Sequence, residues 1–89
     1  MPAVSLADTD PVTITLDSPA SMIVVRVDSG DDVSVAIPAL NDTQPDVLKG
    51  GEAQGYRTGY DAIRSFIVTS GGTSEIRWSA VARQPAARV

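Results

Sequence analysis

The carboxylates of one turn are the residues of this 89-residue chain that come nearest to a recognisable chemical site. Three of them surround a glycine in the segment Asp28-Ser29-Gly30-Asp31-Asp32. Hard oxygen ligands around a glycine turn can hold Ca²⁺. The twelve-residue calcium loop with its closing Glu is absent, so the pattern favours a solvated turn between two strands. Asp8-Thr9-Asp10 has the same ambiguity.

The residue types on which most catalytic sites depend are missing. The chain has no His and no Cys, which excludes a Ser-His-Asp triad, thiolate metal sites and disulfides. Glycoside hydrolysis needs two acids across a cleft, and a chain this short can build one thin core but no deep groove. Gly50-Gly51-Glu52 and Gly71-Gly72-Thr73 lack the Lys and the helix start of a phosphate loop. We therefore expect no enzyme activity, no cofactor and no bound metal.

Charge is divided unevenly along the sequence. The formal net charge is −4, which disfavours binding to a nucleic-acid backbone. Residues 1–48 hold eight Asp against one Arg, whereas residues 49–89 hold six bases against three acids. This complementarity has two open explanations: intramolecular strand pairing, or packing of copies acidic edge to basic edge. No signal peptide is visible and no apolar run approaches ~18 residues, so we expect neither secretion nor a membrane partner.

Alternating apolar positions predict β-strands throughout, because Val, Ile and Thr suit pleated, half-buried surfaces. The expected fold is all-β, a small β-sandwich or partly open barrel with extended terminal arms. It would contain about seven short antiparallel strands, at 12–16, 22–28, 33–37, 47–49, 52–57, 65–69 and 74–82. The second of these is apolar enough to be a central strand buried on both faces.

Turn residues divide these strands. Residues 17–20 (Asp-Ser-Pro-Ala) predict a turn, and 70–73 (Ser-Gly-Gly-Thr) give the strongest hairpin signal. The polar stretch 38–46 predicts a long loop that crosses between sheets. Residues 61–64 are open between one helical turn and a loop.

The chain has four aromatic residues, and three of them are candidates for a core or interface position. Trp78, in an alternating strand, is predicted to be the largest side chain of the core. Tyr56 and Tyr60 stand beside glycines, which leaves two positions open for them: a protein interface or the edge of the core.

From Val47 onward the order of motifs resembles that of small bacteriophage structural proteins. The segments are Leu48-Lys49-Gly50-Gly51-Glu52, then an aliphatic strand, Ser70-Gly71-Gly72-Thr73 and Ile76-Arg77-Trp78. They are similar to segments of capsid decoration (cement) proteins, head fibres and tail accessory domains. The resemblance implies a non-enzymatic virion protein made in the host cytoplasm. Its partners would be the major capsid protein and its own copies, as a homotrimer or another homo-oligomer, and it would stabilise the assembled shell.

Three segments follow from this interpretation: an N-terminal arm at 1–10, a sandwich at 11–82 and a C-terminal tail at 83–89. The alternative is a tail, neck or fibre accessory module that binds a receptor or carbohydrate through an exposed Trp78 or Tyr56 near acids. The residues expected at interfaces are Asp8, Asp10, Asn41, Asp42, Tyr56, Arg57, Tyr60, Arg83 and Arg88.

Overall fold

The computed structural model describes residues 2–40, 45–59 and 61–82, and within these ranges the regular structure is entirely β. The strands are β1 (Ala3–Leu6), β2 (Val12–Ala20), β3 (Met22–Gly30), β4 (Val33–Ala36), β5 (Asp46–Leu48), β6 (Ala53–Arg57), β7 (Ile63–Ser70) and β8 (Ser74–Val81). No helix in these ranges is long and apolar enough to cross a membrane.

The strands form two antiparallel sheets of four strands each. Sheet A has the order β1-β8-β3-β6 and sheet B the order β2-β7-β4-β5, and neither closes into a barrel. The predicted all-β sandwich is therefore confirmed, and the barrel alternative is not the form it takes. Alternate residues of both sheets face one apolar core, whose largest fully buried side chain is Phe66. Trp78, predicted to hold that place, is only half-buried and packs its ring edge-on against Phe66, with 5.4 Å between centroids.

Successive strands mostly lie in different sheets. Only β4 and β5 are neighbours both in sequence and in a sheet, so the other connections cross from one sheet to the other. The crossing predicted for the 38–46 loop is therefore wrong, because this connection joins two strands of sheet B. The hairpin predicted at 70–73 is also wrong, because β7 and β8 do not pair. Glycines give a tight reversal but do not decide whether the chain returns beside itself or in the opposite sheet.

Two of these crossing turns hold each other by hydrogen bonds. The Thr73 amide donates to the Asp31 carboxylate and the Asp31 amide to the Thr73 carbonyl, both at 2.9 Å. The buried Ser74 hydroxyl donates to the Asp31 carbonyl at 2.7 Å and lies 2.7 Å from the Ser70 hydroxyl. We call residues 30–32 together with 70–74 the turn clasp. The turn clasp provides hydrogen-bond partners for backbone amides and carbonyls that have none in the sheets, because the chain leaves each sheet at this point.

β2 is longer than its alternation predicted. It pairs with β7 through Thr15 and again at Ala20, opposite Ser65 and Ile63. Three more residues of β2 than of β7 lie between these two pairs, so the strand bulges there. The turn predicted at 17–20 is therefore wrong, because its Asp and Pro occupy a bulge inside a strand. Pro19 has no amide hydrogen, and at this unpaired position the sheet does not need one.

Further differences concern the beginnings and faces of strands. The predicted N-terminal arm contains β1, which pairs with β8 and buries Leu6. Residues 61–64 are not a helical turn, because β7 begins at Ile63, which is fully buried. β3 is central, as predicted, but it buries only its inner face, and Val24 on the outer face is half-buried.

Gly30 allows the turn clasp to form. Its φ is +100°, and a Cβ at this position would lie 2.3 Å from the Thr73 carbonyl oxygen. We predict that Gly30→Ala lowers the free energy of unfolding by about 2 kcal/mol or more, because both backbone strain and a backbone clash oppose it. Urea denaturation followed by circular dichroism measures this change. Gly59→Ala is the control, since a Cβ there meets nothing within 4 Å. Equal effects of the two substitutions would show that the clasp has no special role.

Candidate interaction surfaces

Two of the three carboxylates of the Asp28–Asp32 turn, those of Asp28 and Asp31, contact protein groups. Asp28 forms ion pairs with Arg77 at 2.7 Å and with Arg26 at 3.3 Å. The Asp31 carboxylate accepts the Thr73 amide of the turn clasp. Among the residues that the structure describes, no group of three or more acidic side chains is arranged to hold a metal ion. Asp31 thus links this turn to the turn after β7.

One end of the sandwich gathers much of the acidic charge. Leu6 and Gly30 both pair with Ser74, and Gly50 packs against Gly30, so four crossing turns share this end. Its exposed charged residues are Asp8, Asp10, Asp31, Asp32, Lys49 and Glu52. One of these carboxylates has a hydrogen-bond partner within the chain, since Asp8 accepts the Asp10 amide at 2.9 Å. The acidic half of the sequence thus supplies most of a local acidic end.

The four predicted interface residues that the structure describes lie in three different places. Arg57 is exposed on the outer face of sheet A near the opposite end, where its guanidinium lies 3.7 Å from the Met22 sulfur. Asp8 and Asp10 are at the acidic end. Five predictions fall outside the described residues: Asn41, Asp42, Tyr60, Arg83 and Arg88.

Tyr56, for which the sequence left open a protein interface or the edge of the core, lies at the edge of the core. Its side chain is 7% exposed, and its buried hydroxyl has no hydrogen-bond partner among the described residues. Burial, followed by the negative charge of Asp46 on β5, raises the pKa of this phenol far above its usual value. Asp46 acts through its charge, since no hydrogen bond joins the two groups. The residue is therefore not offered to a partner.

The outer face of sheet A is charged. Its exposed positions include Arg26, Arg57 and Arg77, together with Asp28 and Glu75. Several of these charges are paired, for instance Glu75, which accepts the Ser5 hydroxyl at 2.9 Å. Such a face is well solvated, and its ion pairs are more than half exposed on the arginine side.

The outer face of sheet B, in contrast, carries no charged residue up to the Thr15–Ser65 pair in the part of the chain that the structure describes. The register places outward side chains of all four strands side by side. Ile67 lies on the central strand β7, and Val47, which is 59% exposed, lies on the edge strand β5. We call these positions the uncharged face: Thr13, Thr15, Ser34, Ala36, Val47, Ser65, Ile67 and Thr69. Asp17 and Arg64 lie at one end of this sheet, in the bulged stretch between the Thr15–Ser65 and Ala20–Ile63 pairs. Depletion of charge is the compositional mark of the centre of a protein interface.

A groove of about 410 Å³ opens beside the bulge of β2. Trp78 and Leu16 give it apolar walls, and Asp17 gives it a carboxylate. The remaining lining residues are Pro2, Ser18, Ser79 and Ala80. The sequence did not indicate this groove, because the turn expected at 17–20 would have ended β2 rather than bulged it against β8.

Comparisons with models of protein families, with curated proteins and with solved structures find no match to this chain.

The environment of Tyr56 leads to a pH-dependent prediction. We expect Tyr56→Phe to raise the free energy of unfolding by up to about 1 kcal/mol at neutral pH, because it removes a buried hydroxyl with no partner. A phenol whose pKa is raised by folding contributes stability that is complete below about pH 10 and is lost as the pH rises further. The wild-type protein should therefore lose stability above pH 10 more steeply than the Phe variant. Urea denaturation at pH values from about 7 to about 11 measures this, and parallel pH profiles would contradict the burial of the hydroxyl.

Proposed function

We propose that this protein is a non-enzymatic structural module that docks its uncharged face onto an assembled protein lattice and stabilises that lattice. The type of lattice is suggested by the resemblance of the 47–78 motifs to phage capsid decoration proteins: a capsid shell, with the major capsid protein as the partner. The observation that carries the proposal is that the described outward positions of sheet B, up to the Thr15–Ser65 pair, hold no charged residue, in a chain of which 20% is charged.

The chemistry of the face specifies what can cover it. A charged group on the partner would lose its water without gaining a counter-charge, which costs several kcal/mol. The complementary surface is therefore uncharged as well, with hydroxyls and aliphatic groups opposite Thr13, Thr15 and Ile67. Short β-branched side chains lose little freedom on contact, so they suit a flat interface of this kind.

The size of the face determines how it must be used. Four strands about 4.8 Å apart, over a length of about five residues, give a planar footprint of roughly 300 Å². A stable interface buries about 800 Å² per partner, so one copy would bind weakly. Linked copies on a repeating lattice gain affinity from effective concentration, and whatever binds only the assembled form stabilises it by mass action. The proposed function thus requires both a lattice and contacts between copies.

We predict that Val47→Lys weakens co-sedimentation with assembled capsid shells at least tenfold. Its ammonium group would be buried against an uncharged partner, at a cost above the 1.4 kcal/mol that corresponds to tenfold. Binding isotherms are obtained from pelleted fractions at increasing protein concentration.

Val81→Lys is the matched control. Val81 is 57% exposed on the outer face of sheet A, against 59% for Val47 on sheet B. It should leave shell binding unchanged. A wild-type protein that does not pellet with shells, or a Val81→Lys variant that is impaired as strongly as Val47→Lys, would refute the proposal.

A further inference from the structure

The groove beside Trp78 exposes an open edge of sheet A. β1 covers only the first part of β8: Ala3 pairs with Arg77, and the Trp78 amide donates to the Pro2 carbonyl at 3.1 Å. Beyond that bond the structure describes no strand on this side of β8. The groove therefore begins where the sheet loses its last partner, which is a point at which an added strand can pair.

The ladder determines which backbone groups face the groove. Because Trp78 directs its amide toward β1, Ala80 directs its amide and carbonyl to the same side two residues later. The residues that alternate with them direct their amides and carbonyls toward β3. Val81 is one of these, and its carbonyl accepts the Ser21 amide at 3.0 Å. Ala80 is exposed. It thus offers one donor and one acceptor to an extended segment lying in the groove.

The side chains around this edge describe the rest of the ligand. Trp78, Leu16 and Pro2 form apolar walls that suit small aliphatic side chains. Asp17 is the charged group in the lining, and an arginine is the side chain that pairs best with a carboxylate at such a rim. An extended peptide with small apolar residues and an arginine matches all three features.

The chain itself contains such a segment. Residues 83–89 read Arg-Gln-Pro-Ala-Ala-Arg-Val, with two arginines and small apolar residues between them. We propose that the groove of one copy binds the 83–89 segment of a second copy, which pairs with the open edge at Ala80 and places an arginine against Asp17. This contact rests on the proposed function, in which it joins copies into the oligomer that a weak docking face requires.

The composition of the segment favours the second copy over its own groove. To return along β8, the chain would have to reverse directly after Ala82, and tight two-residue reversals need positive φ, usually from Gly, Asn or Asp. Residues 83–89 contain none of these, and Pro85 lacks the amide that would close such a turn.

The geometry allows a reciprocal exchange. The segment begins directly after Ala82, close in sequence to the groove-lining Ala80, so both lie at the same end of the molecule. Seven extended residues span up to about 23 Å, enough to reach a groove across a two-fold axis. Each copy would then give its segment and receive its partner's.

Charge reversal in the full-length protein tests this exchange. One variant is Asp17→Arg, and the other carries Arg83→Glu with Arg88→Glu. Sedimentation velocity should show the wild type self-associating and each variant alone at least tenfold weaker, since each brings like charges together. A mixture of the two should associate again, because each segment then meets an opposite charge in the other variant's groove.

Trp78 provides a direct signal from the groove, because it is the only tryptophan of the chain. Its fluorescence should shift to longer wavelength when the wild type is diluted and when either charge variant is measured alone, and it should shift back in the mixture. A mixture that remains monomeric, variants that associate like the wild type, or a wild type that is monomeric at all concentrations would overturn the proposal. So would binding to a glycan array that Asp17→Arg abolishes without changing self-association, which would make the groove a sugar site.

The two proposals can fail separately. Val47→Lys should lose shell binding and keep self-association. If wild-type protein exchanges segments but ignores shells, the proposed function falls and the groove assignment stands. If it pellets with shells but the charge-reversed mixture does not associate, the reverse holds.

Discussion

The turn clasp is the constraint on which the rest of this structure depends. A chain that changes sheet within two or three residues leaves both ladders at once, and its amides and carbonyls need other partners. Here the turn after β3 and the turn after β7 supply them to each other through Asp31, Thr73 and the Ser70–Ser74 pair. Because the clasp joins β3–β4 to β7–β8, it fixes the relative position of both sheets.

Crossing at nearly every turn also separates the charges. β3, β6 and β8 carry Arg26, Arg57 and Arg77 and all join sheet A, whereas the strands sent to sheet B present hydroxyls and aliphatic groups outward. One sheet therefore has a solvated outer face and the other a face suited to contact. The bulge of β2 and the short β1 together leave the groove open. β2 contributes different residues to the two proposed contacts, Thr13 and Thr15 to the uncharged face and Leu16 and Asp17 to the groove, so both contacts can form at the same time.

Local patterns in the sequence were sufficient for every described strand except β1, but not for the partners of those strands. Alternation predicted most strands and the sandwich, and the missing His and Cys narrowed the chemistry that the chain can perform. Turn chemistry at 70–73 could not tell a hairpin from a crossing, because both need the same tight reversal. The uncharged face could not be predicted from the sequence either. Thr13, Ser34 and Ile67 are far apart in the sequence, and only the order of the strands places them side by side. Tyr56, next to Gly55, gave no sign of whether it pointed inward.

The pairing of β1 with β8 has a consequence for the order in which the molecule can form. The first strand and the last are neighbours in sheet A, and β4–β5 is the single pairing between strands adjacent in the described chain. Contacts between distant parts of a chain carry a high cost of loop closure and slow folding down. During synthesis, Val4 and Leu6 must wait for Ile76 and its neighbours to leave the ribosome before they can be covered. Until then the nascent chain exposes apolar strands with free edges, which makes the time between the first and last strands its period of greatest vulnerability to aggregation.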